Sequence, residues 1–182
     1  MKYQDILDFW FQELSHTERF SGGEVVDVKI GERFSRLHTQ AVAGELFAWR
    51  TDARGALAEI IVLDQFSRNL YRGKGEAFAA DGQALVLAQW AVTSGYDQQL
   101  SETERLFLYL PFMHSESKKI HEEALRLFTD LGSEEALKYE KIHKDIIDQF
   151  GRYPHRNAQL GRLSTAEELQ YLKDEEHDFF KS

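Results

Sequence analysis

The sequence predicts an all-α fold in a single domain, and three observations support this prediction. Apolar residues recur at spacings of three and four along nearly the whole chain, and no segment alternates with the period of a strand. Proline occurs twice in 182 residues, which fits long helices because their interiors tolerate proline badly. The predicted loops are short, which favours antiparallel helical pairs in a bundle or short superhelix. A chain of this length can bury a substantial core, so we expect one domain over residues 1–182.

The first part of the chain contains three predicted helices. A short, strongly apolar helix over residues 6–11 comes before the break at Ser21-Gly22-Gly23. Asp27 can cap the second helix, in which apolar residues recur at helical spacing. The third helix covers about residues 54–69 and has little polar surface, so we expect its middle to be buried on most sides.

The rest of the chain carries clear signals for helix starts and stops. Asp81 is a candidate N-cap, and the acidic residue three positions after Ser101 and after Ser164 gives both serines the spacing of a capping box. Pro111 should kink or end the helix that Ser101 begins. The predicted helices cover residues 82–94, 101–111, 116–131, 133–150 and 165–174.

Composition excludes several classes of function. The chain has no cysteine, which rules out disulfides, thiolate metal sites and cysteine nucleophiles. The net charge of −9 opposes general binding to nucleic acid or to an anionic membrane, because phosphate groups are bound by clustered lysine and arginine. The sequence shows neither a signal peptide nor the roughly 18 apolar residues that span a bilayer. We therefore expect a cytoplasmic protein of bacterial type without a cofactor.

Three segments place charged residues where a helix normally has its core: residues 63–73, 109–117 and 150–162. In the first, Arg68 lies one turn after Asp64, which is a favourable spacing for an ion pair. Arg72 continues this line if the helix persists, and Asn69 supplies amide donors and acceptors. An unpaired buried charge costs several kcal/mol, so each of these groups needs a partner. The pattern is compatible with a structural clamp between helices and with a binding site.

The second segment combines a proline with polar side chains. Pro111 frees backbone carbonyls, and His114 and Glu116 follow within five residues. A histidine changes its charge near neutral pH, so His114 is a candidate acid or base, although hydrogen bonding to a loop would also explain it. Glu116 is also a candidate proton-transfer group, because it lies two residues after His114 in the same polar segment.

The third segment is a basic island in an acidic protein. Arg152 and Arg156 lie in a stretch from residue 151 to 163 that contains no acidic residue, together with His155 and Asn157. Arginine presents a planar fork that suits a carboxylate or a phosphate. The sequence therefore predicts an anion site here, while pairing of these arginines with acids of the other two segments remains the structural alternative.

The remaining histidines do not predict a metal site. No His-Glu-x-x-His motif or other ligand spacing occurs, so no metal is expected. His143 lies between apolar residues on one stripe of its helix, which favours a hydrogen-bonded core histidine over a site residue.

Four stretches of the sequence resemble a known family: Asp8-Phe9-Trp10-Phe11, Leu63–Gly73, Tyr109–Glu116 and Phe150–Asn157. This is the uncharacterised bacterial family labelled domain of unknown function 924, and the resemblance covers nearly the whole chain. It implies an all-helical fold similar to tetratricopeptide-repeat superhelices. It implies no established activity.

Three hypotheses about function follow from these segments. The first is a site for a small anionic molecule, with or without catalysis, and its candidate proton-transfer groups are His114, His155, Asp64 and Glu116. Its candidate ligand-binding residues are Arg68, Asn69, Arg72, Arg152, Arg156 and Asn157. The second is a protein-interaction module that binds an acidic peptide or a C-terminal carboxylate. The third is a purely structural role for the polar segments. The sequence does not predict an oligomeric state.

Overall fold

The predicted all-α fold is confirmed by the computed structural model, which describes residues 1–174. The last eight residues of the predicted domain lie outside this range. No strand occurs within the described part of the chain. Helices α1 to α10 cover Tyr3–Asp8, His16–Ser21, Glu24–Val42, Ala53–Ile61, Ser67–Leu70, Asp81–Thr93, Glu102–Met113, Lys118–Leu131, Glu134–Phe150 and Ala166–Tyr171.

Helix α4 lies at the centre of the fold. It packs against α1, α6 and α7, and its residues are buried almost without exception. Small residues on several sides allow these neighbours to approach, as expected for a helix without a polar face. Its one buried carboxylate, Glu59, accepts two hydrogen bonds of 2.7 Å from the guanidinium of Arg50. The prediction that the middle of this helix is buried on most sides is therefore confirmed.

Gly55 of α4 touches the preceding turn so closely that no side chain fits. A Cβ built there would lie 1.9 Å from the carbonyl oxygen of Trp49. We expect Gly55→Ala to lower the free energy of unfolding by about 3 kcal/mol, at the upper end of the usual cost of overpacking. Urea unfolding of the variant measures this loss.

Gly82 of α6 provides the matched control for this substitution. A Cβ at Gly82 would meet nothing within 4 Å, so Gly82→Ala should be neutral or should stabilise the protein by up to about 1 kcal/mol. Equal effects of the two substitutions would show that the Trp49 contact does not constrain α4.

The C-terminal half consists of consecutive helices that pack on their neighbours in sequence. Helix α7 packs against α8, and α8 against α9. The predicted capping box at Ser101 is present, and two glycines in the left-handed conformation, Gly132 and Gly151, end α8 and α9. The closer similarity to tetratricopeptide repeats remains a prediction.

Two predicted N-caps are wrong for a shared reason. Helix α3 begins at Glu24 after Gly23, so Asp27 lies inside its first turn, and Asp81 is the first residue of α6 rather than its cap. Neither carboxylate caps its helix, because each binds arginine side chains that come from another segment.

Two further expectations about helix boundaries also need correction. Helix α7 continues through Pro111 to Met113. Proline so close to the end costs α7 one backbone hydrogen bond, and the surrounding residues from Phe107 onward are all buried, which offsets this cost. The last capping box uses Thr165 and Glu168, one residue later than predicted, because the Glu168 carboxylate also binds Arg152.

Candidate functional site

The three polar segments meet around a cavity of about 290 Å³. All of the charged side chains that line it are arginines, and no lining residue in the described part of the chain is a carboxylate. The lining residues are Arg19, Phe20, Gly22, Gln65, Arg68, Asn69, Arg72, Gly73, Ala77, Phe78, His114, His143, His155, Arg156 and Gln159. We call this cavity the arginine pocket.

A π-helical turn over Val62–Phe66 joins α4 to α5 and places the first polar segment beside the arginine pocket. Such turns displace side chains from the regular helical positions and occur often at functional sites. Asp64 and Gln65 lie in this turn, with Asp64 only 1% exposed. The end of α7 approaches from the other side, where His114 is the C-cap residue.

Asp64 contacts two side chains of the pocket wall, Arg68 and His114. Its Oδ1 lies 2.8 Å from Nδ1 of His114 and 3.1 Å from Nη1 of Arg68. Burial alone would raise the pKa of Asp64, but the charge of Arg68 and the contact with His114 hold it well below its usual range. Asp64 is therefore ionised and accepts a hydrogen bond from Nδ1–H of His114. Burial and the charge of Arg68 lower the pKa of His114, so that its imidazole is neutral.

Asp81 holds the two arginines that come from different segments. Arg68 donates to both of its carboxylate oxygens at 3.0 and 3.1 Å, and Arg156 donates to Oδ2 at 3.1 Å. Asp81 thus links α5 to the 3₁₀ turn Pro154–Arg156, and its contact with Arg156 spans 75 residues of sequence. The sequence pattern suggested a helix cap at this position and missed this role.

Arg156 is the most deeply buried cation of the pocket, with a side chain 7% exposed. Its guanidinium lies between the rings of Phe78 and Tyr153, 4.5 and 4.6 Å from their centroids. Its Nε is buried and has no hydrogen-bond partner among the described residues. Burial and the nearby charge of Arg68 lower the pKa of Arg156, which means that its charge is poorly compensated.

Asn69 and Arg72 form the more open side of the pocket. Both donate hydrogen bonds to the carboxylate of Asp27 in the first turn of α3, and Arg72 does so with two bonds of 2.7 and 3.0 Å. The side chain of Arg72 is 42% exposed. The line from Asp64 through Arg68 to Arg72 therefore does not form one ion-pair ladder, because Arg72 turns towards α3.

Arg19 is a pocket residue that the sequence interpretation missed. It comes from α2, a helix opened by a capping box of Ser15 and Glu18 that was not predicted. Its Nη1 donates to the backbone carbonyls of Trp10 and Leu14, and no carboxylate within residues 1–174 lies within 4 Å of it. The spacing of Ser15 and Glu18 could have predicted α2. Local spacing, however, gives no indication that α2 reaches the pocket.

Like Asp64, three other predicted site residues lie behind the pocket and not on its wall. Glu116 accepts two hydrogen bonds from Arg162, at 2.6 and 2.8 Å, and one from the backbone N–H of Tyr153. Arg152 donates two hydrogen bonds to Glu168, and Asn157 also donates to Glu168. These contacts fold the loop after α9 and fix the position of Arg156.

His143 and His155 also line the pocket. His143 was expected to be a core histidine; it is partly buried at the pocket wall, and its Nδ1 donates to the carbonyl of Tyr139 at 2.8 Å. Burial lowers the pKa of both histidines to about 3, with a further contribution from the charge of Arg156. Both imidazoles are thus neutral. No cluster of three or more potential metal ligands occurs among the described residues.

The fold and the pocket define an all-helical protein with a buried, arginine-lined cavity. A family model described as "Bacterial protein of unknown function (DUF924)" matches residues 6–176, and the chain belongs to this family. A solved structure, described as a protein of unknown function from Agrobacterium tumefaciens, is similar with a TM-score of 0.90 and 38% identity, covering 94% of this chain and 97% of that chain. The comparison with curated proteins gives no match. None of the helices within residues 1–174 has the length and apolar character needed to cross a membrane.

Proposed function

We propose that the arginine pocket binds a small anionic molecule. The observation that carries this proposal is Arg156, a cation that is 7% exposed and donates one hydrogen bond to a carboxylate that Arg68 already occupies. A buried charge is strongly unfavourable without compensation. An anion in the pocket would supply the missing charge and accept from the unused guanidinium donors.

The charge balance of the pocket supports the same proposal. Four arginines line it, and three aspartates compensate them from behind: Asp27, Asp64 and Asp81. Among the described residues, Arg19 forms no ion pair with any of these three carboxylates and donates to backbone carbonyls instead. A positive excess in a cavity of a protein with net charge −9 favours an anionic ligand over a cationic or neutral one.

The aspartates also orient the donors before any ligand arrives. Asp81 and Asp27 each fix an arginine by a two-pronged contact, which reduces the entropy that those side chains would lose on binding. Ion pairing inside the protein and anion binding are therefore compatible, because the same contacts that stabilise the fold preorganise the site.

Titration with inorganic phosphate, sulfate and acetate, followed by calorimetry, tests the proposal. We expect at least one of these anions to bind wild type, and Arg156→Gln to weaken that binding about 10- to 100-fold, since hydrogen bonds from charged groups contribute roughly 1.5–3 kcal/mol. Arg126→Gln is the matched control, because Arg126 lies on the exposed face of α8.

Two results would contradict the proposal. One is the absence of binding by any of the three anions at low ionic strength. The other is equal loss of affinity in the Arg126→Gln control. Binding of an acidic peptide in place of the small anions would favour the alternative of a protein-interaction module.

A further inference from the structure

We infer that His114 is a nucleophile that accepts a phosphoryl group from an organic phosphate monoester bound in the arginine pocket, with Asp64 as its positioning residue. This inference rests on the proposed function, and it adds a reaction and a substrate class to it. Three features carry it: the orientation of the His114 ring, the arrangement of the arginines, and the chemical character of the other lining residues.

The Asp64 contact fixes which nitrogen of His114 is reactive. Because the ionised carboxylate accepts from Nδ1–H at 2.8 Å, the proton of the neutral ring resides on Nδ1 and the lone pair on Nε2. Nε2 has no hydrogen-bond partner among the described residues, and the side chain is 16% exposed where it lines the pocket. A neutral imidazole with a free Nε2 lone pair, in the wall of a pocket that binds a phosphate, can act as a nucleophile.

Asp64 also favours the product of the attack. When Nε2 forms a bond to phosphorus, positive charge develops on the ring, and the carboxylate at Nδ1 stabilises it. His143 differs in this respect, since its Nδ1 donates to the carbonyl of Tyr139, which carries no full charge. We therefore assign the reaction to His114.

The arginines favour a phosphoryl group over a carboxylate. Arg68 and Arg156 reach the pocket from different elements and are joined through Asp81. Guanidinium donors from several directions outnumber the two oxygens of a carboxylate and suit the three terminal oxygens of a phosphate monoester. In the transition state of phosphoryl transfer the charge is spread over these oxygens, so the same donors would stabilise it.

The remaining wall of the pocket limits the alternatives. The part of the wall formed by described residues contains no serine, threonine, cysteine, lysine or carboxylate, so histidine is the nucleophile that it offers. Two rings, Phe78 and the 45% exposed Phe20, provide an apolar surface for the organic part of the substrate.

The proposed reaction has two steps. In the first, the lone pair of Nε2 forms a bond to phosphorus, the bond from phosphorus to the ester oxygen breaks, and that oxygen takes a proton from water. In the second, water attacks phosphorus and loses a proton to the hydroxide left by the first step, the phosphorus–nitrogen bond breaks, its electron pair returns to Nε2, and inorganic phosphate leaves. The net change is hydrolysis of a phosphate monoester to an alcohol and phosphate, with His114 restored.

Phosphoramidate, a small inorganic phosphoryl donor, tests the first step without knowledge of the natural substrate. The protein is mixed with phosphoramidate, quenched in alkali over a range of times and analysed by intact mass and peptide mapping. We expect a single phosphoryl adduct on His114 that is stable in alkali and lost in acid. The adduct should fall to background in His114→Gln, persist in Arg126→Gln on the exposed face of α8, and form about 100-fold more slowly in Arg156→Gln.

The positioning role of Asp64 has a separate readout. In Asp64→Asn we expect the ¹⁵N spectrum of His114 to lose the uniform Nδ1–H form and adduct formation to slow, while melting experiments verify that the variant is folded. An unchanged tautomer together with an unchanged rate would overturn this role.

The outcomes distinguish this inference from the proposed function. Calorimetry with phosphate on wild type reports binding alone, because inorganic phosphate has no ester group to transfer. Wild type that binds phosphate but forms no adduct at any time, or forms it on another histidine, overturns the inference and leaves the anion site intact. Phosphate release without an adduct also overturns it, because water would then attack directly.

Discussion

Asp64→Ala should lower the free energy of unfolding by about 3–5 kcal/mol. The substitution removes the carboxylate that lies 3.1 Å from Arg68 and 2.8 Å from His114, both of which stay in place. Arg68 would retain Asp81, but His114 and the Gln65 amide would lose their acceptor in a nearly dry environment. Urea unfolding at pH 7.5 measures the loss.

Two controls separate the burial of Asp64 from the mere loss of a charge. Asp130→Ala removes a carboxylate that is 60% exposed and pairs with Arg126. We expect it to change the free energy of unfolding by less than about 0.5 kcal/mol. Asp64→Asn keeps an amide beside His114 but removes the charge. Its loss of unfolding free energy should lie between the losses for Asp64→Ala and Asp130→Ala. A loss for Asp64→Ala as small as that for Asp130→Ala would mean that the pocket cations do not depend on Asp64.

Local sequence patterns were sufficient to predict the class of fold and the polar segments. The helical spacing of apolar residues places the core correctly, because a helix that packs on its neighbours must present them an apolar stripe. Charged residues within such stripes, as at Asp64 and Arg68, indicated groups that need partners inside the protein. The spacing of four also predicted their ion pair, which the structure contains.

Long-range partners could not be predicted from local spacing. Asp27 and Asp81 have the positions expected of helix caps, and their contacts with Arg72 and Arg156 arise across 45 and 75 residues. Arg152 and Arg156 look equivalent in the sequence. In the structure Arg152 binds Glu168, whereas Arg156 lines the pocket. The tertiary packing of the helices determines which arginine a distant carboxylate neutralises. It therefore also determines which arginine remains available to a ligand.

The neutral histidines of the pocket should make the protein sensitive to mild acid. The pKa of His143 and of His155 is lowered to about 3 by burial, whereas histidine in the unfolded chain has a pKa near 6.5. Between these values the unfolded state binds the proton and the folded state does not. The stability conferred by the neutral rings is therefore complete above about pH 6.5 and is lost as the pH falls towards 3.

The size of this loss follows from the same linkage. Each histidine contributes a slope of about 1.4 kcal/mol per pH unit below pH 6.5, or roughly 3 kcal/mol by pH 4. The two together would remove an amount comparable with the whole stability of an ordinary domain. Carboxylates with lowered pKa, such as Asp64, add their own loss only below about pH 5, so the histidine contribution is separable in the upper part of the range.

Unfolding free energies measured in urea from pH 7.5 to pH 4.5 provide the test. We expect the slope between pH 6 and pH 5 to become less steep by about 1 kcal/mol per pH unit in His143→Gln, the contribution of one histidine, even if that variant is less stable at pH 7.5. His16→Gln is the control, since His16 is exposed in α2, and its slope should match wild type. A flat profile for wild type down to pH 5 would mean that the pocket takes up protons without cost and that burial does not keep these histidines neutral.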